Sequence, residues 1–401
     1  MFKKLMVIFL LVTCFFLFFQ WDVKQGYKKY TKVHPYTETT SYTGQLTMFP
    51  EGSKLYTSLF TDMKEAESYI YLQFFIFRDD PISMKFIELL KEKAKRGVDV
   101  KFSVDRFGGK DISSSLIKEM QESGIEFAFS RPLQFPHLFY SLNHRNHRKL
   151  VAIDGHTSYI GGFNIGEEYL GNNEKLGYWR DYHLRIQGNG TYEIEKQFLK
   201  DWEEDTGDAK SPNPLNRTVS SKNQSAYQLV FATGETLENQ VLDLIKQAKH
   251  ELIIATPYFI PSDTIMDAFK NAKKRGVTIT LIVPDHTDAW FTKPPSYPKI
   301  EELFNDGAAV YLYTKGFFHG KVMIIDDKVA SVSTANWDPR SFYLNDEASC
   351  LVYDQHFIEQ VKKELKQDMK DSRKITRKII DDIPIWEKSL VNTPEWIYYY
   401  F

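Results

Sequence analysis

Two cysteines in 401 residues, Cys14 and Cys350, leave no material for a disulfide framework or a cysteine-rich metal site. An excess of either charge is also lacking. A net charge of −2 gives no global pull on nucleic acid, so any attraction to a polyanion has to be local. No histidine or carboxylate cluster demands a metal, and neither a metal nor a cofactor is expected. Nor does the chain combine low hydrophobicity with high net charge: 42% apolar and 26% charged residues exclude general disorder. Its length suffices for two or three domains, each with its own core.

One long apolar run is present. Lys3 and Lys4 precede an uncharged stretch, residues 5–19, that closes at Gln20 and Trp21. At 1.5 Å per residue it reaches roughly 25 Å, a little less than a bilayer's hydrocarbon core. A secretory signal peptide shares this pattern, but cleavage calls for small residues where the chain has Phe18-Phe19-Gln20-Trp21. The run reads as an uncleaved single-pass anchor with Trp21 at the interface. Lys24, Lys28, Lys29 and Lys32 follow it, and their excess over Lys3 and Lys4 leans toward a cytoplasmic body. These lysines suit anionic headgroups or a solvated linker equally well.

The body repeats itself. An apolar run, residues 69–77, precedes a helical pattern through Phe86, Leu89, Leu90 and Ala94, then Arg96-Gly97 and the strand-like residues 98–105. A second apolar run, residues 252–260, precedes a helical pattern through Ile265, Met266, Ala268, Phe269 and Ala272, then Arg275-Gly276 and residues 277–283. Short continuous apolar runs are buried strands, and i, i+3, i+4 spacing is a helix. Gly97 and Gly276 stand where a helix end takes a left-handed residue. Strand, helix and strand at short spacing predict a βαβ crossover. The expected fold is α/β: two repeated α/β/α domains with mixed, largely parallel sheets, plus the N-terminal helix. The expected boundaries are an anchor at 1–22, a juxtamembrane linker at 23–49, a first domain at 50–206, a polar connector at 207–225, a second domain at 226–370 and a tail at 371–401.

Each repeat ends in the same pattern. His147-Arg148-Lys149 is followed by Asp154 and then by Asn164; His319-Gly320-Lys321 is followed by Asp326 and then by Asn336. Both motifs read H-x-K-x4-D, and in both the Asn follows the His at one and the same distance. A single such motif arises readily by chance; two in register, each closing a βαβ repeat, do not. On a strand, His and Lys two apart share a face. The Asp falls at an odd offset, on the other face, so Asp154 and Asp326 suit a turn or pairing behind the site better than proton transfer.

The duplicated motif resembles the phospholipase D superfamily, and the surrounding phrases resemble its cardiolipin synthase branch. They are Asn146-His147-Arg148-Lys149, Gly161-Gly162-Phe163-Asn164, Trp179-Arg180-Asp181, Thr256-Pro257-Tyr258-Phe259 and Asn336-Trp337-Asp338-Pro339. The resemblance spans about residues 50 to 355. Ser333 departs from it, standing where the branch usually has Gly, and so does the single N-terminal span. The resemblance implies that the halves pack about a pseudo-twofold axis, bringing His147 and His319 together over one phosphate. It makes the motif residues His147, Lys149, Asp154, His319, Lys321 and Asp326 the catalytic candidates, with His147 as nucleophile and His319 as acid and base. Lys149, Lys321, Asn164 and Asn336 are the candidate phosphate ligands. A nucleophilic imidazole needs its second nitrogen held by an acceptor, and Glu347 and Asp181 are the candidates for orienting the histidines. His144 and His183 are expected to be solvated or structural.

The implied substrates are phosphatidylglycerol and other anionic phospholipids at a membrane, with cardiolipin and glycerol as products. Hydrolysis of a phospholipid, or of nucleic acid, is the second reading. The near-neutral charge and the apolar run weigh against nucleic acid, and retention of both motifs weighs against a scaffold without activity. Two aromatic segments, residues 135–140 and 289–298, read either as a rim that admits acyl chains or as packed lids. The tail 396–401 suits an interface or docking on the body.

Overall fold

A computed structural model describes residues 2–34, 36–212, 224–288 and 293–384. Helix α1 (Phe2–Val33) is followed by β1 (Tyr42–Phe49), α2 (Gly52–Glu65), β2 (Tyr69–Phe74), α3 (Pro81–Lys95), β3 (Asp99–Asp105), α4 (Ser114–Glu122) and β4 (Ile125–Ser130). Then come α5 (Leu138–Asn143), β5 (Leu150–Ile153), β6 (Thr157–Gly161), β7 (His183–Gly188) and α6 (Thr191–Thr206). The second half repeats the scheme with β8 (Ser225–Thr233), α7 (Glu235–Gln247), β9 (Glu251–Ala255), α8 (Asp263–Lys274), β10 (Thr278–Pro284), α9 (Lys293–Asn305) and β11 (Ala309–Tyr313). It closes with β12 (Val322–Ile325), β13 (Val329–Ser333), α10 (Pro339–Tyr343), β14 (Asn345–Val352) and α11 (Gln355–Lys370).

Both βαβ repeats are present. Asp80 caps α3 by accepting from the Ser83 amide, and Ser262 caps α8 by accepting from that of Ile265. The first half orders its strands β4-β3-β2-β5-β6-β7-β1, and the second β11-β10-β9-β12-β13-β14-β8. β1 and β8 pair antiparallel, Gly44 with Ser225 and Tyr42 with Tyr227, which joins the halves into one continuous sheet. An antiparallel pair is related by a twofold through its middle residues, here Thr43 and Ala226, so this seam carries the pseudo-symmetry.

The sheet is mixed as expected, but not largely parallel. Among the described residues the β2-β3-β4 and β9-β10-β11 ladders run parallel, while the other named strands within each half pair antiparallel. The cause is turn length. β5 and β6 are joined by a tight turn at Asp154 and Gly155, and β12 and β13 by one at Asp326, too short for a crossover.

The expected linker at 23–49 is also corrected. α1 runs unbroken to Val33, and β1 is an inner strand between β7 and β8. Beyond the apolar run, α1 docks on the body: Asp22, Val23 and Gly26 are buried. Asp22 accepts from the amides of Phe139 and Tyr140. Val23 packs with Tyr140 of the first half and Leu344 of the second, so the helix seats over their junction. Gly26 lies so close to the Tyr140 ring that a Cβ there would clash. Of the expected connector, residues 213–223 lie outside the described residues, as do 289–292 of the second aromatic segment and 385–401 of the tail.

Candidate active site

Two short parallel pairings between the halves build the site. Arg145-Asn146 pairs with Asn345-Asp346, and the next residue on each chain is His147 and Glu347. Tyr178–Arg180 pairs with Gly316–Phe318, and the next residues are Asp181 and His319. The His147 amide donates to the Asp346 carbonyl at 3.0 Å, and the His319 amide to that of Arg180 at 2.6 Å. Each motif histidine is therefore delivered beside a carboxylate from the opposite half. His147 Nδ1 lies 3.0 Å from both Glu347 oxygens, and His319 Nδ1 lies 2.6 Å from Asp181 Oδ2. A carboxylate accepting from Nδ1–H leaves Nε2 of each ring as the free base.

The lysines are held by their own motifs. Lys149 Nζ donates to the His147 carbonyl at 2.7 Å, and Lys321 Nζ to that of His319 at 2.6 Å. Lys321 Nζ also reaches the His319 ring, 2.9 Å from Nδ1 and 3.2 Å from Nε2, and stands 3.8 Å from Asp181. Phe75 packs edge-on against His147, its centroid 4.9 Å away, and Trp179 lies at the same distance from His319. All four motif side chains are buried.

Burial sets the protonation. It pushes His147 down to about 4, opposed by Glu347 and reinforced by Lys149. Burial likewise pushes His319 down to about 3, with Lys321 adding to the fall. Lys149 lies well below the usual lysine range, burial again leading. Burial alone raises the two carboxyls, but Lys321 and His319 hold Asp181 below the ordinary carboxylate value, and His147 does the same for Glu347. The site is thus two imidazoles kept neutral by burial, oriented by two carboxylates and flanked by two lysines, with both carboxylates already engaged by the histidines. That arrangement is suited to receive an anion.

The other expected residues fall in place unevenly. Asp154 and Asp326 lie away from the histidines. Asp154 takes the amides of Glu67, Ser68 and Tyr69, and Asp326 those of Lys249, His250 and Glu251. Each stands at positive φ, 46° and 51°, in the turn after β5 or β12. Their place in the catalytic set is corrected to a structural one: the carboxylate ties that turn to the start of β2 or β9. Replacing Asp154 by Ala is expected to cost about 2 kcal/mol of stability, from charge-assisted bonds at a partly exposed site. Thermal unfolding should show the loss while turnover per folded molecule is retained; a collapse of turnover at unchanged stability would return the Asp to the chemistry.

Asn164 was expected as a phosphate ligand. Its Oδ1 accepts from the Phe75 and Ile76 amides at 3.2 and 3.0 Å, and its Nδ2 donates to Tyr169 Oη at 3.2 Å. It thereby fixes the loop that sets Phe75 against His147. Asn336 is buried with its Oδ1 unpartnered among the described residues, and its backbone amide donates to Ser341 Oγ. Ser333, the departure from the family pattern, uses its hydroxyl to accept from the Ala335 amide and to meet Ser349 Oγ at 2.8 Å. His144 is structural, 3.0 Å from Asp346 and between the rings of Tyr30 and Tyr140. His183 is buried against Tyr159 and Phe163.

Two features escaped the sequence reading. Thr334 Oγ1 donates to Glu347 Oε2. Its counterpart at the same distance from the histidine is Gly162, where a Cβ would meet Asp181 Oδ1 at 2.0 Å. That matched offset was the available signal. The second is a buried ionic network beside the site. Arg131 meets Asp346 at 2.6 Å and Asp205 at 3.1 Å, and Arg148 meets Asp201 at 2.8 Å. Asp346, raised by burial, is held well below the carboxylate range by Arg131, His144 and Arg148. The network buttresses the strand end that carries Glu347.

Duplicated H-x-K-x4-D motifs converging across two α/β halves define a phospholipase D-like phosphodiester enzyme. The family described as cardiolipin synthase, PLD-like domain, matches residues 59–202 and 241–369. The minor cardiolipin synthase ClsB of Bacillus subtilis is 35% identical over 364 residues, covering 90% of each chain. The major cardiolipin synthase ClsA of the same organism is 37% identical over 311 residues, 76% of this chain and 64% of that one. This chain therefore spans just under two thirds of the longer relative. The phosphatidylserine synthase of Haemophilus influenzae shares the fold, with a TM-score of 0.69, 16% identity and coverage of 89% of this chain and 95% of that one. The chain belongs to the cardiolipin synthase family of phospholipase D-like enzymes.

Proposed function

We propose that the protein joins two phosphatidylglycerol molecules into cardiolipin and releases glycerol, through a phosphohistidine on His147. The observation that carries this reading is the pair of imidazoles, each with Nδ1 on a carboxylate from the opposite half and each beside its own motif lysine. His147 Nε2 attacks phosphorus of the first lipid. The bond to the headgroup glycerol breaks, and the departing oxygen takes a proton from His319. His319, now neutral, takes the proton of the second lipid's terminal hydroxyl. That oxygen attacks phosphorus and the N–P bond breaks, restoring His147. Lys149 and Lys321 stabilise charge developing on the non-bridging oxygens. One phosphodiester replaces another, so no nucleotide donor is required.

α1 serves as a single-pass membrane anchor. Its residues 2–18 are exposed over the apolar run, and Trp21 stands where the interface falls.

His319 must carry a proton to act as acid, yet burial and Lys321 keep it neutral in the free site. The anionic substrate provides the missing countercharge. Binding of sulfate, which does not itself titrate, is expected to take up protons at about pH 6. Calorimetry in buffers of different ionisation enthalpy reads this directly, and binding without uptake would contradict it. The same depressed values make stability from the two histidines full above about pH 6.5, their unfolded value, and lost as pH falls toward the folded values.

Phosphatidylglycerol vesicles incubated with the protein are expected to yield cardiolipin and glycerol in equal amounts by mass spectrometry. Phosphatidic acid as the sole lipid product would make hydrolysis the reaction.

A further inference from the structure

The segment just before the first motif is more apolar at its surface than a soluble loop: Phe135 is 81% exposed, Leu133 51% and Leu142 48%. Several of its polar groups are satisfied locally, though the Gln134 side chain is exposed. The Gln134 amide donates to Ser141 Oγ, that hydroxyl donates to the Leu138 carbonyl, and His137 faces Asp22 at 3.5 Å. Phe139 leaves the body to pack on the apolar part of α1, with ring centroids 5.7 Å from Phe15, 6.1 Å from Phe18 and 5.1 Å from Phe19. Phe15 precedes Trp21 by six residues, so at 1.5 Å per residue it lies about 9 Å below the level of Trp21. A ring touching both Phe15 and Phe19 stands within that depth. On the body side, Asp22 holds the amides of Phe139 and Tyr140, and Gly26 admits Tyr140, which pins the segment at the interface.

We propose that residues 132–142 form a second membrane-embedded element, inserted beside α1 into the acyl layer of the same leaflet. The occupant of this apolar face is phospholipid hydrocarbon, because the face is continuous with the span through Phe139. A cavity of about 470 Å³ separates the segment from α1, walled by Tyr30, Val33, Phe135, Tyr140 and His144. Tyr140 Oη is buried there without a hydrogen-bond partner among the described residues. Embedding the segment sets this cavity at headgroup depth, between the bilayer and the Arg131–Asp346 network behind Glu347. The inference rests on α1 being a membrane span, and the test separates the two.

A bimane fluorophore is placed on Cys14 of the native chain or, with Cys14 replaced by Ala, on Phe135→Cys or on Lys363→Cys in α11. Cys350 is buried and does not compete. Each protein is reconstituted in phosphatidylglycerol and phosphatidylcholine vesicles carrying lipids spin-labelled high on the acyl chain. The proposal expects strong quenching at Cys14 and Phe135→Cys and little at Lys363→Cys. Quenching at Cys14 without quenching at Phe135→Cys overturns the embedded segment and leaves the span. No quenching at either overturns both. A Phe135→Cys label that is shielded from lipid in a detergent-stable dimer makes the face a contact between copies, and also overturns the proposal. Phe135→Asp gives a second readout: turnover on vesicles should fall sharply while turnover of a monomeric short-chain phosphatidylglycerol is retained. Equal losses on both substrates would count against membrane insertion.

Discussion

Replacing His147 by Ala is expected to lower phosphatidyl transfer by on the order of 10⁴-fold or more, since residues that act as one nucleophilic unit are lost together. The fold should be retained with a stability loss of about 1–3 kcal/mol, because buried Glu347 loses its hydrogen-bond partner while Thr334 still donates to it. His319→Ala is expected to fall less far, by about 10² to 10⁴, the usual share of a general acid and base. The difference has a diagnostic form. The His319 variant should recover part of its rate with a lipid whose headgroup is a better leaving group, because protonation then matters less. The His147 variant should not, since it has no atom to receive the phosphatidyl group. Initial rates with phosphatidylglycerol and an activated headgroup analogue decide this. Full activity in either variant would end the shared-site mechanism.

The second large effect concerns the carboxylates. Glu347→Gln keeps the size of the side chain but can present an amide N–H to His147 Nδ1, which favours the wrong tautomer and buries the nucleophilic lone pair. A comparable carboxylate-to-amide change beside a catalytic histidine costs about 10⁴ in kcat, and a loss of that order is expected here. Asp181→Asn should act in the same way on His319. The losses should fall on kcat rather than KM, because each carboxylate is engaged by a histidine Nδ1 and acts through that ring. Each half supplies the acceptor for the other half's histidine, so damage to either half silences the whole site. A loss confined to KM would mean that the carboxylates serve binding alone.

The geometry within each motif is legible in the chain because it is local. Strand alternation separates His147 and Lys149 from Asp154, and the structure puts Asp154 on three backbone amides behind the site. Glu347 and Asp181 were readable as acceptors by type and position. Their exchange between halves was not, because it depends on two pairings between distant residues, Asn146 with Asp346 and Phe318 with Arg180. Sheet direction was misjudged for a related reason. A βαβ pattern is visible as a change of period, whereas the antiparallel strands that follow are set by turns at Asp154 and Asp326, whose effect is geometric. Residues 23–33 carry lysines and tyrosines that suit a linker. Contacts of Val23, Gly26 and Tyr30 with Tyr140, Leu344 and Asp346 extend the helix instead. Thr334 went unseen because its importance lies in contrast with Gly162, and only the placement of both carboxylates gives that contrast meaning.

The central claim is that one phosphatidyl group rests covalently on His147 between two lipids. It is tested most directly by quenching the enzyme in cold neutral denaturant during turnover of phosphatidylglycerol, a condition that spares both the acid-labile N–P bond and the acyl esters, and sequencing its peptides by mass spectrometry. The account predicts a phosphatidyl adduct on the peptide bearing His147 and none on that bearing His319. An adduct on His319, or turnover at full rate with no adduct on either histidine, would contradict it.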